Sequence, residues 1–400
     1  ELGTPVLLRT TTRVNHCRGV CTYGAMEPRR FEGHFDKDPF RWVPVPAVAR
    51  RLRPVQIQRE ALAAEKVAEL SFNRIEGGAS DLGIITSGVA YAYVKEVLAG
   101  FEGGERVRVA KVGSIHPLPR AQIERLLLDC KKVLVVEELE PFLETEVRAI
   151  AQEMGRAVLI FGKGEKGIPR MYELSPDRIR PPCGRLLGQE LAHVEPVELP
   201  KLPNRPPMLC AGCTHRNSYY LIKSIAGPDT YFASDIGCYT LGLLPPMSTV
   251  DSFLCMGSSI TQAQGASIHN PQKIVAFIGD STFFHSGLTG LANAVHNGND
   301  LMLVILDNST TAMTGHQPHA GTECQTPGAT GLDLERAVRG LGVEDVEVVD
   351  PNDLKSSMKV VREAYDRRGV RVIISRHACP LFERRILPKR EKPLIYTVDQ

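Results

Sequence analysis

No run of about 18 apolar residues occurs in the chain, so no transmembrane helix is expected. Charge of neither sign is in excess. A net charge of +2 gives no reason to expect nucleic acid or an acidic membrane as partner. Short-period repeats and low-complexity tracts are also missing. The chain opens Glu1-Leu2-Gly3-Thr4-Pro5, without an initiator methionine, a basic n-region or an apolar h-region. The expectation is therefore no signal peptide, and a start that reads as the middle of something longer. Cysteine is not scarce: there are 10. In an enzyme-sized chain without a secretory signal they argue against a disulfide scaffold and for metal or redox roles, with the cytoplasm as the expected compartment.

At roughly 100 to 200 residues per domain, 400 residues suggest two or three domains. Residues 1–65 hold one apolar strand, Pro5 to Arg9, and then a turn-rich, proline-rich region with Trp42, Pro44, Pro46 and Pro54. They read as the end of one domain plus a linker. Residues 66–195 alternate strand and helix patterns. The strands are expected at Gly83 to Thr86, Val107 to Val112, Val133 to Val136 and Ala157 to Phe161, and the helices around Tyr91 to Leu98, Arg120 to Asp129 and Pro141 to Met154. Such alternation predicts a parallel α/β domain. Gly162-Lys163-Gly164-Glu165-Lys166-Gly167 matches a dinucleotide fingerprint, but it comes late in the unit and Pro169 follows, so it reads as a plain glycine loop. Residues 196–208 carry Pro196, Pro200, Pro203, Pro206 and Pro207 and predict a stiff linker. Residues 209–400 form a second α/β domain, closing with a strand Val370 to Ser375 and a basic tail from Arg384 to Lys392.

Within that second domain an apolar strand, Lys273 to Ile278, ends in Gly279-Asp280-Ser281, and another, Leu301 to Leu306, ends in Asp307-Asn308. In a parallel sheet both ends lie at the carboxyl edge, where ligands of open α/β sheets bind. A carboxylate and an amide oxygen converging there can hold Mg²⁺, which prefers oxygen ligands and is often completed by phosphates. The Thr310 carbonyl can supply a third ligand. Ser281 and Thr282, at a predicted helix N-terminus, can present N–H groups to a diphosphate. The same residues also suit simple turns and caps. Two further strand-to-turn elements, Ser234 to Cys238 and Cys255 to Ser259, weigh against turns alone.

Five ordered motifs carry a family resemblance: CAGCTHR at 210–216, DIGCYTLG at 235–242, MGSSI at 256–260, GDSTFFHSG at 279–287 and LDNSTTAMTGHQPHAG at 306–321. They resemble the thiamine diphosphate-binding domain of 2-oxoacid:ferredoxin oxidoreductases, in particular the α subunit of the indolepyruvate type. TTTRVNH at 10–16 and EELEPFLE at 137–144 extend the likeness over nearly the whole chain. The resemblance implies a thiamine diphosphate-binding fold with parallel sheets. Residues 1–65 would end a pyrimidine-binding domain, 66–195 would be a transketolase-C-like domain, and 209–400 the diphosphate-binding domain.

It further implies that Asp280, Asn308 and the Thr310 carbonyl bind Mg²⁺. Gly237, Cys238, Met256, Gly257, Ser258, Gly279 and Ser281 would join Asp280, Asn308 and Thr310 around the cofactor, with Met256 wedged between its rings or simply in the core. His285 and His316 are the candidate catalytic residues, although His285 equally suits a turn cap. The implied reaction consumes a 2-oxoacid, coenzyme A and oxidised ferredoxin, and yields acyl-CoA, CO₂ and reduced ferredoxin. Expected partners are a β subunit and a first domain or separate chain, in a hetero-oligomer. A non-oxidative thiamine-dependent decarboxylase or carboligase, and a non-catalytic scaffold subunit, stand as alternatives.

Cys210-x-x-Cys213, Cys238 and Cys379 follow the order of the cysteines that hold a cofactor-proximal [4Fe-4S] cluster in the wider family. Zinc at the same four residues, or inert thiols, remain open. Cys17 and Cys21 have no partner pair nearby, and Cys130, Cys183, Cys255 and Cys324 read as core or surface thiols. Two features of the family are not in this sequence: most of the first domain, with its activating glutamate, and the ferredoxin-like module with two CxxCxxCxxxC runs.

Overall fold

The computed structural model describes residues 2–25, 33–189, 200–322 and 330–386. Cys324, Pro196 and the basic tail beyond residue 386 lie outside them. The chain divides into two compact units, Glu1–Leu199 and Pro200–Gln400.

The first unit is built on five strands: β1 (Arg74–Glu76), β2 (Leu82–Ser87), β3 (Arg108–Val112), β4 (Lys132–Val136) and β5 (Leu159–Phe161). Their order is β1-β3-β2-β4-β5. The pairs β2–β3, β2–β4 and β4–β5 are parallel, as the alternating pattern predicts. The short edge strand β1 runs antiparallel to β3, so this sheet is mixed rather than wholly parallel. Successive residues serve opposite faces. Ile84, Leu134 and Val136 pack with Val94, Val97 and Ile179 on one side, while Ile85, Val133 and Val135 pack with Ile123, Leu126 and Val147 on the other. A sheet covered on both faces reads as continuous Val/Ile/Leu runs, which is how these strands are written.

Two expectations fail in this unit. Residues 2–10 form no strand, and Val6, Leu7 and Leu8 are exposed. Apolar character makes a strand only where a ladder partner exists. The proline-rich stretch is not a run of turns either: Pro46–Glu69 is one helix. Pro46 stands at its first turn, where a missing N–H costs nothing, and the helix tolerates Pro54 inside it. The helix is tied to the sheet by Asn73, whose amide donates to the Val67 carbonyl (2.8 Å) and accepts from Gly113 N–H (2.6 Å).

The second unit holds β6 (Tyr231–Ala233), β7 (Ile274–Gly279), β8 (Leu301–Asp307), β9 (Asp345–Val349) and β10 (Val370–Arg376). The order is β6-β7-β8-β10-β9, every pair parallel. Ala276, Ile278, Leu303 and Ile305 face one core, and Val275, Phe277, Met302 and Val304 the other. Register pairs Gly279 with Leu306, which sets the turn after β7 beside the end of β8. Residues 200–208 carry neither helix nor strand and are exposed.

Candidate active site

At the carboxyl edge of the second sheet, Asp280 follows β7 and Asn308 follows β8. Asp280, Asn308 and Thr310 are only 3%, 7% and 2% exposed, so their polar atoms must find partners inside the protein. One Asp280 carboxylate oxygen, Oδ2, accepts the N–H groups of Asn308 (3.2 Å) and Ser309 (2.8 Å). The other, Oδ1, accepts Ser281 N–H (2.7 Å). Asn308 Oδ1 accepts Thr310 N–H (3.2 Å). Thr310 Oγ1 is buried with no partner among the described residues. Ser309 holds a left-handed φ of 60°, which folds the chain back over the strand end. Ser281 Oγ accepts the Thr311 hydroxyl at 2.8 Å, joining the two turns.

Two histidines frame this cluster. His319 Nδ1 accepts Gly321 N–H (3.1 Å), so the ring proton sits on Nε2, which donates to Asp280 Oδ2 at 3.1 Å. His215 is buried, and its Nε2 meets Asn308 Nδ2 at 3.3 Å. Burial holds the His215 pKa down at about 4 against the pull of Asp280, keeping the ring neutral near pH 7. Sequence reasoning quoted both histidines within motifs but gave neither a place in the site. The signal available was their recurrence in CAGCTHR and TGHQPHAG.

Asp235, Tyr239 and Thr282 form a second buried network behind the turns. The Tyr239 hydroxyl donates to Asp235 and reaches Thr282 Oγ1 at 3.2 Å, and Ser259 Oγ donates to Asp235 at 2.8 Å. Desolvation lifts the Asp235 pKa to about 6, against the hydrogen bonds that favour its charge. The Tyr239 ring also explains two glycines. A Cβ at Gly237 would stand 2.2 Å from the ring, and one at Gly279 would stand 2.7 Å from it. Gly257 is required for another reason: its φ is +87°, and a Cβ there would meet Ser286 Oγ at 2.1 Å.

Gly257 precedes the helix Ser258–Ser267, and Ser258 Oγ accepts Cys255 N–H at 3.1 Å, which folds the entering turn back on the helix start. Met256 is half-buried, and its carbonyl accepts the Ser286 hydroxyl (3.3 Å). The helical run after Asp280 has one wide turn, Phe283–Gly287, before Leu288–His296. Wide turns of this kind recur at functional sites. His285 lies on it and is exposed. His316, at φ 65°, stacks on Phe382 with ring centroids 5.7 Å apart. Its Nδ1 is buried without a partner among the described residues, and burial, with Arg385 adding to it, lowers its pKa.

Every described cysteine is a free thiol. Cys210 and Cys213 share one turn, Cys238 and Cys379 come from two other segments of this unit, and the four influence one another. Burial raises the Cys238 pKa to about 11, with Cys213, Cys210 and Cys379 adding to it. Burial likewise raises Cys213, with Cys210 and Cys379 contributing. Among the described residues, however, no group of three or more His, Cys, Asp or Glu side chains is gathered to hold a metal ion. The thiols are thus neighbours without a closed ligand set. They adjoin the Asp280 cluster: Cys379 N–H donates to the Asn308 carbonyl at 3.0 Å, and Cys213 lies two residues before His215.

Residues 235–375 match the family model described as thiamine pyrophosphate enzyme, C-terminal TPP binding domain. The chain is 44% identical over 394 residues to indolepyruvate oxidoreductase subunit IorA of Methanothermobacter marburgensis, covering 96% of this chain and 63% of that protein. With the IorA subunit of Thermococcus kodakarensis it shares 40% identity, covering 94% of this chain and 62% of the relative. The chain therefore spans less than two thirds of these relatives' length. A solved 2-oxoglutarate:ferredoxin oxidoreductase from Magnetococcus marinus is 18% identical at a TM-score of 0.39, covering 48% of this chain and 74% of that one, a likeness too slight to bear weight. No described helix is long and apolar enough to cross a membrane. Residues 235–375 thus carry a thiamine pyrophosphate-binding domain, and over nearly its own whole length the chain is similar to part of the indolepyruvate oxidoreductase IorA subunits.

Proposed function

We propose that this chain is the thiamine diphosphate-binding part of a 2-oxoacid:ferredoxin oxidoreductase, oxidising an aryl 2-oxoacid of the indolepyruvate type with coenzyme A and passing the electrons to ferredoxin. The observation that carries the reading is the convergence of Asp280 and Asn308 at the ends of two adjacent parallel strands within a matched cofactor-binding domain. The residues fit the group. A carboxylate, an amide oxygen and a carbonyl are the hard oxygen donors Mg²⁺ takes, and the buried Thr310 hydroxyl beside them has no partner among the described residues.

In this reading Asp280, Asn308 and the Thr310 carbonyl hold Mg²⁺. Gly237, Cys238 and Ser281 line the diphosphate, Ser258 and Gly279 belong to the same cofactor site, and Met256 with Gly257 supports the cofactor's rings. His319 holds the Asp280 carboxylate and His215 holds the Asn308 amide, so both side chains would be fixed for a metal. Thiamine diphosphate supplies, when bound, a carbanion that adds to a 2-oxo group and holds the electrons left as CO₂ departs. His285, exposed on the wide turn, and His316, with an unpartnered ring nitrogen, are the groups available to a substrate. Cys210, Cys213, Cys238 and Cys379 would hold a [4Fe-4S] cluster as the first electron acceptor. A β subunit, a pyrimidine-binding first domain and a cytoplasmic setting complete the proposed assembly.

Asp280→Ala should abolish Mg²⁺-dependent thiamine diphosphate binding by calorimetry, because the diphosphate then lacks its charge bridge. Unchanged affinity would defeat the assignment. Iron and sulfide analysis of anaerobically purified protein separates this reading from a non-oxidative decarboxylase or carboligase. Roughly four irons per chain are expected, and protein with neither element would remove the cluster from the proposal.

A further inference from the structure

The first unit contains a cavity of about 390 Å³ that the chemistry above does not use. It lies along β4 and the open edge strand β5, closed on one side by the turn Gly162–Gly167 and on another by the helix Pro176–Leu187. Its size falls in the range of small-molecule sites, about 300–1,000 Å³. The walls divide into two kinds. Leu134, Phe161 and Leu186 make an apolar floor, and Lys132, Arg148, Lys163, Lys166 and Arg185 supply cations.

These cations are not equivalent. Arg148 pairs with Glu144 at 2.8 Å, and Lys163 donates to the carbonyls of Glu137 and Pro169. Arg185 donates to the Lys166 carbonyl, so it pins the turn. The side-chain ammonium groups of Lys132 and Lys166, both residues exposed, make no hydrogen bond or ion pair among the described residues. Two unpaired ammonium groups, in a lining that includes no carboxylate, give a cavity of positive potential.

The glycine turn is built tightly against it. A Cβ at Gly162 would stand 2.1 Å from the Glu144 carboxylate, and one at Gly167 would stand 2.1 Å from the Gly162 carbonyl. Gly164 faces open space at φ +152°. The first and last glycines are thus explained by packing. No helix follows the turn, which ends at Ile168-Pro169, so it is not the phosphate turn of a dinucleotide fold.

We propose that this cavity binds a phosphorylated small molecule of mononucleotide size, its phosphates at Lys132 and Lys166 and its ring over Leu134, Phe161 and Leu186. The probe is ADP, titrated calorimetrically into the full chain with thiamine diphosphate and Mg²⁺ already saturating, so that the second unit's site is not what responds. One ADP is expected to bind per chain, and the Lys132→Ala/Lys166→Ala pair to weaken it at least tenfold with the melting temperature unchanged, both side chains being exposed. Adenosine and inorganic phosphate should each bind at least tenfold more weakly than ADP. The proposal is overturned if ADP fails to bind, if its affinity survives the double substitution, or if adenosine or phosphate alone matches it. In the first case the lysines serve only to guard an open sheet edge.

Discussion

Asp235 is a carboxylate removed from water and held by Tyr239, Ser259 and the amides of Ser259 and Gly257. Its pKa rises from 3.8 to about 6 on folding, so between those values the folded chain keeps a proton that the unfolded chain has released. Stability from this group is fully present below about pH 4 and is lost as pH climbs through about 6. Asp235→Asn should remove that dependence. Denaturant unfolding of the metal-free protein from pH 4 to 7 should show the unmutated chain losing about 2–3 kcal/mol relative to the variant. A difference that stays flat with pH would show that Asp235 ionises as readily folded as unfolded. Asp280 and Asn308 were legible in the sequence because each directly follows an apolar strand, and adjacent parallel strands end together. His215, His319 and Tyr239 were not, because they enter from the start of the helix Thr214–Ile225, from a loop and from the short turn Cys238–Leu243, none of which is a strand end that a sequence pattern marks. Gly237 and Gly279 had a signal that pointed elsewhere: glycines in a cofactor motif suggest room for a phosphate, and here each makes room for the Tyr239 ring.

Among the elements, strands that are apolar on both faces were placed to within about two residues, since burial on two sides leaves an unbroken run. Three kinds of element escaped. The edge strand β1 is too short and too polar to stand out, the helices Pro46–Glu69 and Pro176–Leu187 carry internal prolines that read as breaks, and Pro5 to Arg9 has strand composition without a ladder. Prolines mislead because their cost is local, while helix packing on a core is summed over many residues. The turn entering Ser258–Ser267 offers a direct test. Gly257→Ala should destabilise the protein by about 1–3 kcal/mol, combining a strained left-handed backbone with the clash on Ser286 Oγ. A thermal unfolding midpoint equal to the parent's would mean the turn relaxes freely.

Over the whole molecule, each unit has its own sheet and its own pair of cores, and the proposed cofactor ligands lie in the second alone. Ligand that binds only the folded form stabilises it by about 2.7 kcal/mol at a hundredfold excess over Kd. Hydrogen exchange should therefore slow, on adding thiamine diphosphate and Mg²⁺, at the ends of β7 and β8 and around Thr310, while β2, β3 and β4 exchange at their former rate. Equal protection in both sheets would place the binding site elsewhere. The hydrogen bond from Cys379 to the Asn308 carbonyl sets a rule for substitution at position 379. The strand end uses the amide hydrogen of residue 379, which every residue but proline can supply. The proposed cluster would accept cysteine alone, whereas a chain that gave up its thiols would still keep an N–H at that position to hold the amide-bearing turn of Asn308 in place.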